Sequence, residues 1–276
     1  MEIKISKLRE DFKGKHHLLT TSDNIVLFLR AWEPRKKTDK AILILHGITA
    51  HSGPYEPMAK PLSTLGFSVF GLDLRGHGLS DGNRGDYPSR KRLIKDLCET
   101  ISFLKQKFSI LILLGHSLGV ASSLIAATHC PGDIDGLILL SAGTEIKPGV
   151  YPTLSAKEKL RILFYSIFFP GKPVISYERN GMVGLDDPLF NFNITLRFLR
   201  AFNPKKIKID KISNTNLPLF VGIGEHDEIF SVESAQKLFD EIPSDNKKFF
   251  VIPGGKHADF PEESFQPLVG WLKENF

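Results

Sequence analysis

Residues 115–119 read Gly-His-Ser-Leu-Gly, preceded by the apolar run Leu111–Leu114 and followed at once by the small residues of VASS. In a chain with 23 glycines such a pentapeptide arises by accident often enough that its surroundings must decide its meaning. Glycines on both sides of a serine let a strand bend sharply into a helix and hold the serine hydroxyl at the exposed turn. A serine hydroxyl is a weak nucleophile at neutral pH, so it needs a base, and the base needs an acid to orient it. On doubly wound sheets these follow in the order Ser, Asp or Glu, His. Downstream of Ser117 the chain offers GEHDEIFS at 224–231 and GGKHADF at 254–260. His257 lies just past the last apolar run, behind two glycines, and position favours it as base over the other eight histidines. Glu225, Asp227 and Glu228 are all candidates for the acid, with Asp227 preferred because it sits at the turn before the next helix. The developing oxyanion needs backbone donors. The N–H of Leu118, next to the nucleophile, is one, and Ile48 in HGITAHSGPY supplies the other, where Gly47 lets the loop bend close.

The elements that would position these groups alternate. AILILHG (41–47), FSVFGLDL (67–74), 109–114, IDGLILLSA (134–142), LPLFVGIG (217–224) and KKFFVIPG (247–254) read as strands, because each is a short apolar run closed by a turn residue. Helices are expected between them, over PYEPMAKPLSTLG, 90–108, 118–129 and SVESAQKLFDEI, with a last one from Pro261. Continuously apolar strands alternating with helices imply an α/β fold, a doubly wound and mostly parallel sheet covered on both faces. A hairpin over 17–33 adds antiparallel edge strands. Between Thr144 and Ser213 the rhythm stops. This stretch is rich in aromatics and carries the helical pieces SAKEKLRILFYSIFF and NFNITLRFLRAFN, too long for a plain loop. The division expected is a core of 1–143 and 214–276 with an inserted helical cap, or lid, at 144–213.

Charge and composition narrow the partners. The net charge of +5 comes without any nucleic-acid-binding motif, so no nucleic-acid partner is expected. Cys98 and Cys130 form neither a metal spacing nor a disulfide framework and are read as packing residues on helices. No metal or cofactor is expected. The N-terminal segment lacks the apolar core of a signal peptide, and the longest apolar stretch, Ile162–Phe169, is far short of a membrane span. The expectation is a cytoplasmic protein with at most peripheral membrane contact, through the greasy RILFYSIFFPG of the cap and its neighbours Lys157, Lys159 and Arg161. His46, His51, His77 and His116 are expected to satisfy backbone groups near the site, and Arg75, Asp81 and Arg84 to be structural partners in the glycine-rich turn. Asp186–Pro188 would brace the cap, and Ser52 and Ser80 follow no strand-to-helix elbow.

HGITAHSGPY, GLDLRGHGLSDGNRGDY, GHSLG, LDDPLF, GEHDEIFS and GGKHADF, in that order, resemble the α/β-hydrolase superfamily, and within it the monoacylglycerol lipase/lysophospholipase branch of serine aminopeptidase-like hydrolases. The resemblance covers nearly the whole chain. It implies the α/β-hydrolase fold, a triad of Ser117, Asp227 and His257, an oxyanion hole from Ile48 and Leu118, an acyl-binding tunnel beneath the cap, and a small acyl ester or lipid as substrate. One loop departs from the family. Thr49 and Ala50 stand where family lipases carry Gly and Glu, and Pro54 where they carry Arg, which weakens the expectation of polar recognition of a glycerol head group. The alternatives are a proline iminopeptidase-like peptidase and a non-catalytic ligand-binding homologue. Dehalogenases and epoxide hydrolases place Asp at the elbow, where this chain has Ser117.

Overall fold

A strand buried on both faces must be apolar at consecutive positions, and its successive side chains must then divide between two cores. The computed structural model describes residues 5–130, 132–151, 153–178, 183–212, 216–261 and 265–276. Its strands are β1 (His16–Thr20), β2 (Val26–Trp32), β3 (Lys40–Leu45), β4 (Ser68–Asp73), β5 (Ile110–His116), β6 (Gly136–Leu140), the short pair β7 (Ile175–Ser176) and β8 (Asn193–Ile194), β9 (Leu219–Gly224) and β10 (Lys247–Ile252). All but β7 and β8 form one sheet in the order β1-β2-β4-β3-β5-β6-β9-β10. Within this sheet the pairs β1/β2 and β2/β4 are antiparallel and every other pair is parallel, while β7/β8 is antiparallel.

The helices are α1 (Ile5–Glu10), α2 (Glu56–Thr64), α3 (Arg90–Lys105), α4 (Leu118–His129), α5 (Ala156–Phe168), α6 (Leu196–Ala201), α7 (Val232–Glu241) and α8 (Gln266–Asn275). Side chains alternate across the sheet. Leu43, Leu45, Leu111, Leu113, Leu137 and Leu139 join a core with α3, α4, α6 and α7. Ile42, Ile44, Ile112, Leu114, Ile138 and Leu140 face the opposite way, onto α2 and α8. Helix starts follow local chemistry. The side chains of Ser89, Ser231 and Thr195 accept the backbone N–H of Arg92, Ser234 and Phe198 at the heads of α3, α7 and α6. Since β3, β5, β9 and β10 run parallel, the loops after them leave the same carboxyl edge of the sheet.

The structure differs from the sequence reading in several places. α3 stops at Lys105 rather than 108, and α8 starts at Gln266 rather than Pro261, with 262–264 outside the described residues. Only 196–201 of NFNITLRFLRAFN is α-helix, because Asn193–Ile194 pairs as a strand with Ile175–Ser176 and Thr195 caps the helix behind it. α5 forms with a full capping box between Ser155 and Glu158, yet none of its residues is buried. Among the described residues no helix is long and apolar enough to cross a membrane.

The cysteines are a correction. Cys98 and Cys130 are joined in a disulfide, with Cα atoms 5.7 Å apart. Packing of α3 beside α4 on one face of the sheet brings together two residues separated by 32 positions, a pairing that sequence spacing does not announce. Closing a loop of this length stabilises a fold by about 2–4 kcal/mol. Reduction, or Cys98→Ala with Cys130→Ala, is therefore expected to lower the unfolding free energy in urea by that amount, whereas identical reduced and oxidised unfolding curves would contradict a formed bridge.

Candidate active site

β5 runs straight into α4 through Ser117, whose backbone is held at φ 55°, ψ −119°. A left-handed φ at a residue with a side chain is strained, and it persists only where the surroundings impose it. Here they do. A Cβ on Gly119 would lie 1.9 Å from the Leu45 carbonyl oxygen, and one on Gly115 would lie 2.4 Å from the Gly119 carbonyl oxygen. The Ser117 N–H donates to the Leu140 carbonyl of the neighbouring strand at 2.9 Å, and its own carbonyl accepts the Val120 N–H at 3.0 Å.

The loops after β9 and β10 bring the expected partners to this turn. His257 Nε2 lies 3.0 Å from Ser117 Oγ, and His257 Nδ1 lies 3.0 and 3.1 Å from the two carboxylate oxygens of Asp227. Asp227 is buried and also accepts the N–H groups of Ile229 and Phe230 at 2.8 and 2.9 Å. Burial is the largest single influence on its carboxyl and pushes the pKa up. The hydrogen bond and charge of His257, together with the two N–H donors, outweigh it and leave the group below its ordinary value. The other two acid candidates hold the same loop by its backbone: Glu225 accepts the Gly254 N–H and Glu228 accepts the His257 N–H, each at 2.9 Å.

Ile48 and Leu118 flank the serine from two directions. A Cβ on Gly47 would stand 3.5 Å from Ser117 Cβ, so the first loop passes close to Ser117. Among the described residues neither the Ile48 nor the Leu118 N–H donates to a protein group. The Ile48 N–H belongs to the peptide whose carbonyl is that of Gly47, and that oxygen accepts from His46 Nδ1 at 2.8 Å and from the Ala50 N–H at 3.2 Å. In a trans peptide the N–H points opposite the C=O, so pinning one aims the other. The loop is held again at the Ile48 carbonyl, 3.1 Å from His77 Nε2, and at the Thr49 carbonyl, which accepts the Asn191 N–H at 2.8 Å.

The remaining candidates have structural partners. Arg75 forks onto Asp96 and reaches Asp23, Arg84 donates to the carbonyls of Gly78 and Leu189, and Asp81 pairs with Arg9. His51 Nε2 lies 2.9 Å from Asp187, so the Asp-Asp-Pro stretch braces the first loop. The hydroxyls of Ser52 and Ser80 bond to Arg30 and to the Asp73 carbonyl, away from any base. Sequence reasoning gave no role to Tyr55, whose hydroxyl lies between the Gly47 N–H at 3.0 Å and His116 Nδ1 at 2.8 Å; His116 Nε2 meets the His257 carbonyl at 2.7 Å, a backbone partner of the kind expected for that histidine. A tyrosine eight residues after Gly47 was the only signal.

Ser117, His257, Ile48 and Leu118 line one cavity of about 1960 Å³, with apolar walls from Val120, Leu124, Ile146, Phe190, Phe202 and Ile209. A serine hydroxyl aligned with an imidazole and a carboxylate, beside two N–H groups that have no protein partner among the described residues, is an arrangement that can carry out acyl transfer.

The chain resembles known proteins in family, sequence and fold. Residues 36–264 match a family described as serine aminopeptidase, S33. Human monoglyceride lipase is 34% identical over 274 residues, spanning 93% of this chain and 89% of that protein. The Escherichia coli protein YnbC is 26% identical over 90% of this chain, which spans only 44% of its length. A crystal structure of the Paleococcus ferrophilus monoacylglycerol lipase superposes with a TM-score of 0.71 at 24% identity, covering 91% of this chain and 99% of that one, a likeness of fold.

Burial pushes His46 and His116 down to about 4 and His77 to about 3, from an ordinary value of 6.5. These histidines stay neutral in the folded protein while the unfolded chain takes up protons below about pH 6.5. Their contribution to stability is therefore complete above pH 6.5 and is lost as the pH falls towards 4. Urea unfolding at pH 7.5, 6 and 5 should show stability dropping by several kcal/mol, at about 1.4 kcal/mol per pKa unit for each group. A flat profile between pH 7.5 and 5 would contradict the buried neutral assignment.

Proposed function

The chain belongs to the family described as serine aminopeptidase, S33, within the α/β-hydrolases, and from that premise we propose that it is a serine ester hydrolase with Ser117 as nucleophile. The observation that carries the reading is the unbroken path from Asp227 through His257 to Ser117, with hydrogen bonds of 3.0 Å on each side of the imidazole. Ser117 Oγ attacks the ester carbonyl and gives its proton to His257 Nε2. Asp227 holds the Nδ1–H and stabilises the imidazolium. The N–H groups of Ile48 and Leu118 receive the oxyanion. Collapse expels the alcohol, which takes the proton from His257, and leaves an acyl-Ser117 ester. Water, deprotonated by His257, then releases the acid and restores the serine.

The apolar cavity supports an acyl chain as the greasy half of the substrate. Monoglyceride lipase as a relative supports a lipid-like ester. Residues 144–213 act as a cap over the cavity in this reading, supported by Ile146, Phe190, Phe202 and Ile209 among its walls. Peripheral contact with a lipid surface through α5 is supported by Leu160, Ile167 and Phe168, which are 67%, 62% and 63% exposed.

A panel of p-nitrophenyl esters tests the proposal. Rates should rise from acetate to octanoate, and an ester carried in vesicles should be cleaved faster than the same ester free in solution. Ser117→Ala should abolish turnover, and Asp227→Asn should lower it by roughly 10⁴, as in the serine-protease precedent. Activity confined to acetate would end the long-acyl reading, equal rates with and without vesicles would end the surface reading, and faster cleavage of aminoacyl nitroanilides would favour the peptidase.

A further inference from the structure

His116 adjoins the nucleophile, yet both of its ring nitrogens bond away from the reacting atoms. Nε2 meets the His257 carbonyl at 2.7 Å, and Nδ1 meets Tyr55 Oη at 2.8 Å. Tyr55 Oη in turn lies 3.0 Å from the Gly47 N–H. His116 and Tyr55 are both buried.

The bonds can run in only one direction. The Gly47 N–H can only donate, so Tyr55 Oη accepts there, and its single proton must go to His116 Nδ1. His116 Nδ1 is therefore bare and Nε2 carries the proton, which is given to the His257 carbonyl, a group that can only accept. A protonated imidazole would put a second donor on Tyr55 and leave the phenolic proton without a partner. Burial favours the neutral form of both groups, holding His116 near 4 and raising Tyr55 above its ordinary value.

The three groups joined in this way belong to three separate segments, the loop after β3, the end of β5 and the loop after β10. Gly47 precedes the peptide that carries the Ile48 donor, His116 precedes the nucleophile, and His257 is the base, positioned at its carbonyl by His116, at its N–H by Glu228 and at its ring by Asp227. We propose that Tyr55 and His116 are positioning residues, a directed hydrogen-bond relay that holds the oxyanion loop, the nucleophile elbow and the base loop in register. Neither residue exchanges a proton with the substrate. The inference rests on the reading of Ser117, His257 and Asp227 given above.

The test is steady-state kinetics on p-nitrophenyl octanoate for Tyr55→Phe, His116→Gln, their double variant and Ser117→Ala, with thermal unfolding of each. A displacement of reacting groups by about an ångström costs on the order of 10²-fold. Each single variant should therefore lose ~10- to 100-fold in kcat with KM within about twofold, while remaining folded at the assay temperature. The double variant should lose little more than the worse single, because both break the same chain. The relay is overturned if folded Tyr55→Phe or His116→Gln keeps the parental kcat, if the losses multiply, or if they track the unfolded fraction. Should Tyr55→Phe fail to fold, His116→Gln decides by the same readouts. Retained turnover in Ser117→Ala overturns the underlying reading and the relay with it; an inactive Ser117→Ala beside full-rate relay variants overturns the relay alone.

Discussion

One residue is held in a backbone conformation that most side chains avoid, and the rest of the molecule is arranged around that constraint. At φ 55°, ψ −119° Ser117 stores strain of about 1–3 kcal/mol. The strain is sustained because β5 is fixed between β3 and β6 and because α4 packs close enough to the sheet that a side chain at position 115 or 119 would strike backbone oxygen. The result is a hydroxyl lifted above the sheet at the head of a helix, beside the Leu118 N–H, which has no protein partner among the described residues. Relaxing the elbow to ordinary strand or helix geometry would turn Oγ away from every other group in the site.

The loops that meet Ser117 are held by hydrogen bonds to their backbone groups. The loop after β3 is pinned at the carbonyls of Gly47, Ile48 and Thr49, which leaves the Ile48 N–H aimed outward at no further cost when charge develops. The loops after β9 and β10 are stitched together by Glu225 N–H to the Ile252 carbonyl and His226 N–H to the Gly255 carbonyl, which ties the segment carrying Asp227 to the one carrying His257. Buried neutral histidines recur because each offers a donor and an acceptor with no charge to desolvate. His46, for example, accepts the Leu74 N–H while donating to the Gly47 carbonyl.

What could be read in the sequence was what local pattern controls. Apolar runs marked the strands, Gly-x-Ser-x-Gly at a run's end marked the elbow, and chain order marked Asp227 and His257. What could not be read depends on side chains meeting across the fold. The Cys98–Cys130 bridge needs α3 beside α4, and the bond between Tyr55 and His116 joins residues 61 positions apart. The three acids at 225, 227 and 228 looked like rivals for one task, whereas the structure sets all three on one loop, two of them on its backbone. Around residue 193 a brief strand and a threonine cap were blurred into a longer helix, because a two-residue ladder leaves no periodicity to detect.

The central claim is that this constrained serine is a nucleophile activated by His257. Fluorophosphonate labelling followed by peptide mass spectrometry tests it most directly. The account predicts one adduct per chain, on Ser117, absent in Ser117→Ala and formed far more slowly in His257→Gln. Folded parent protein that stays unlabelled, or that carries its adduct on another serine, would contradict it.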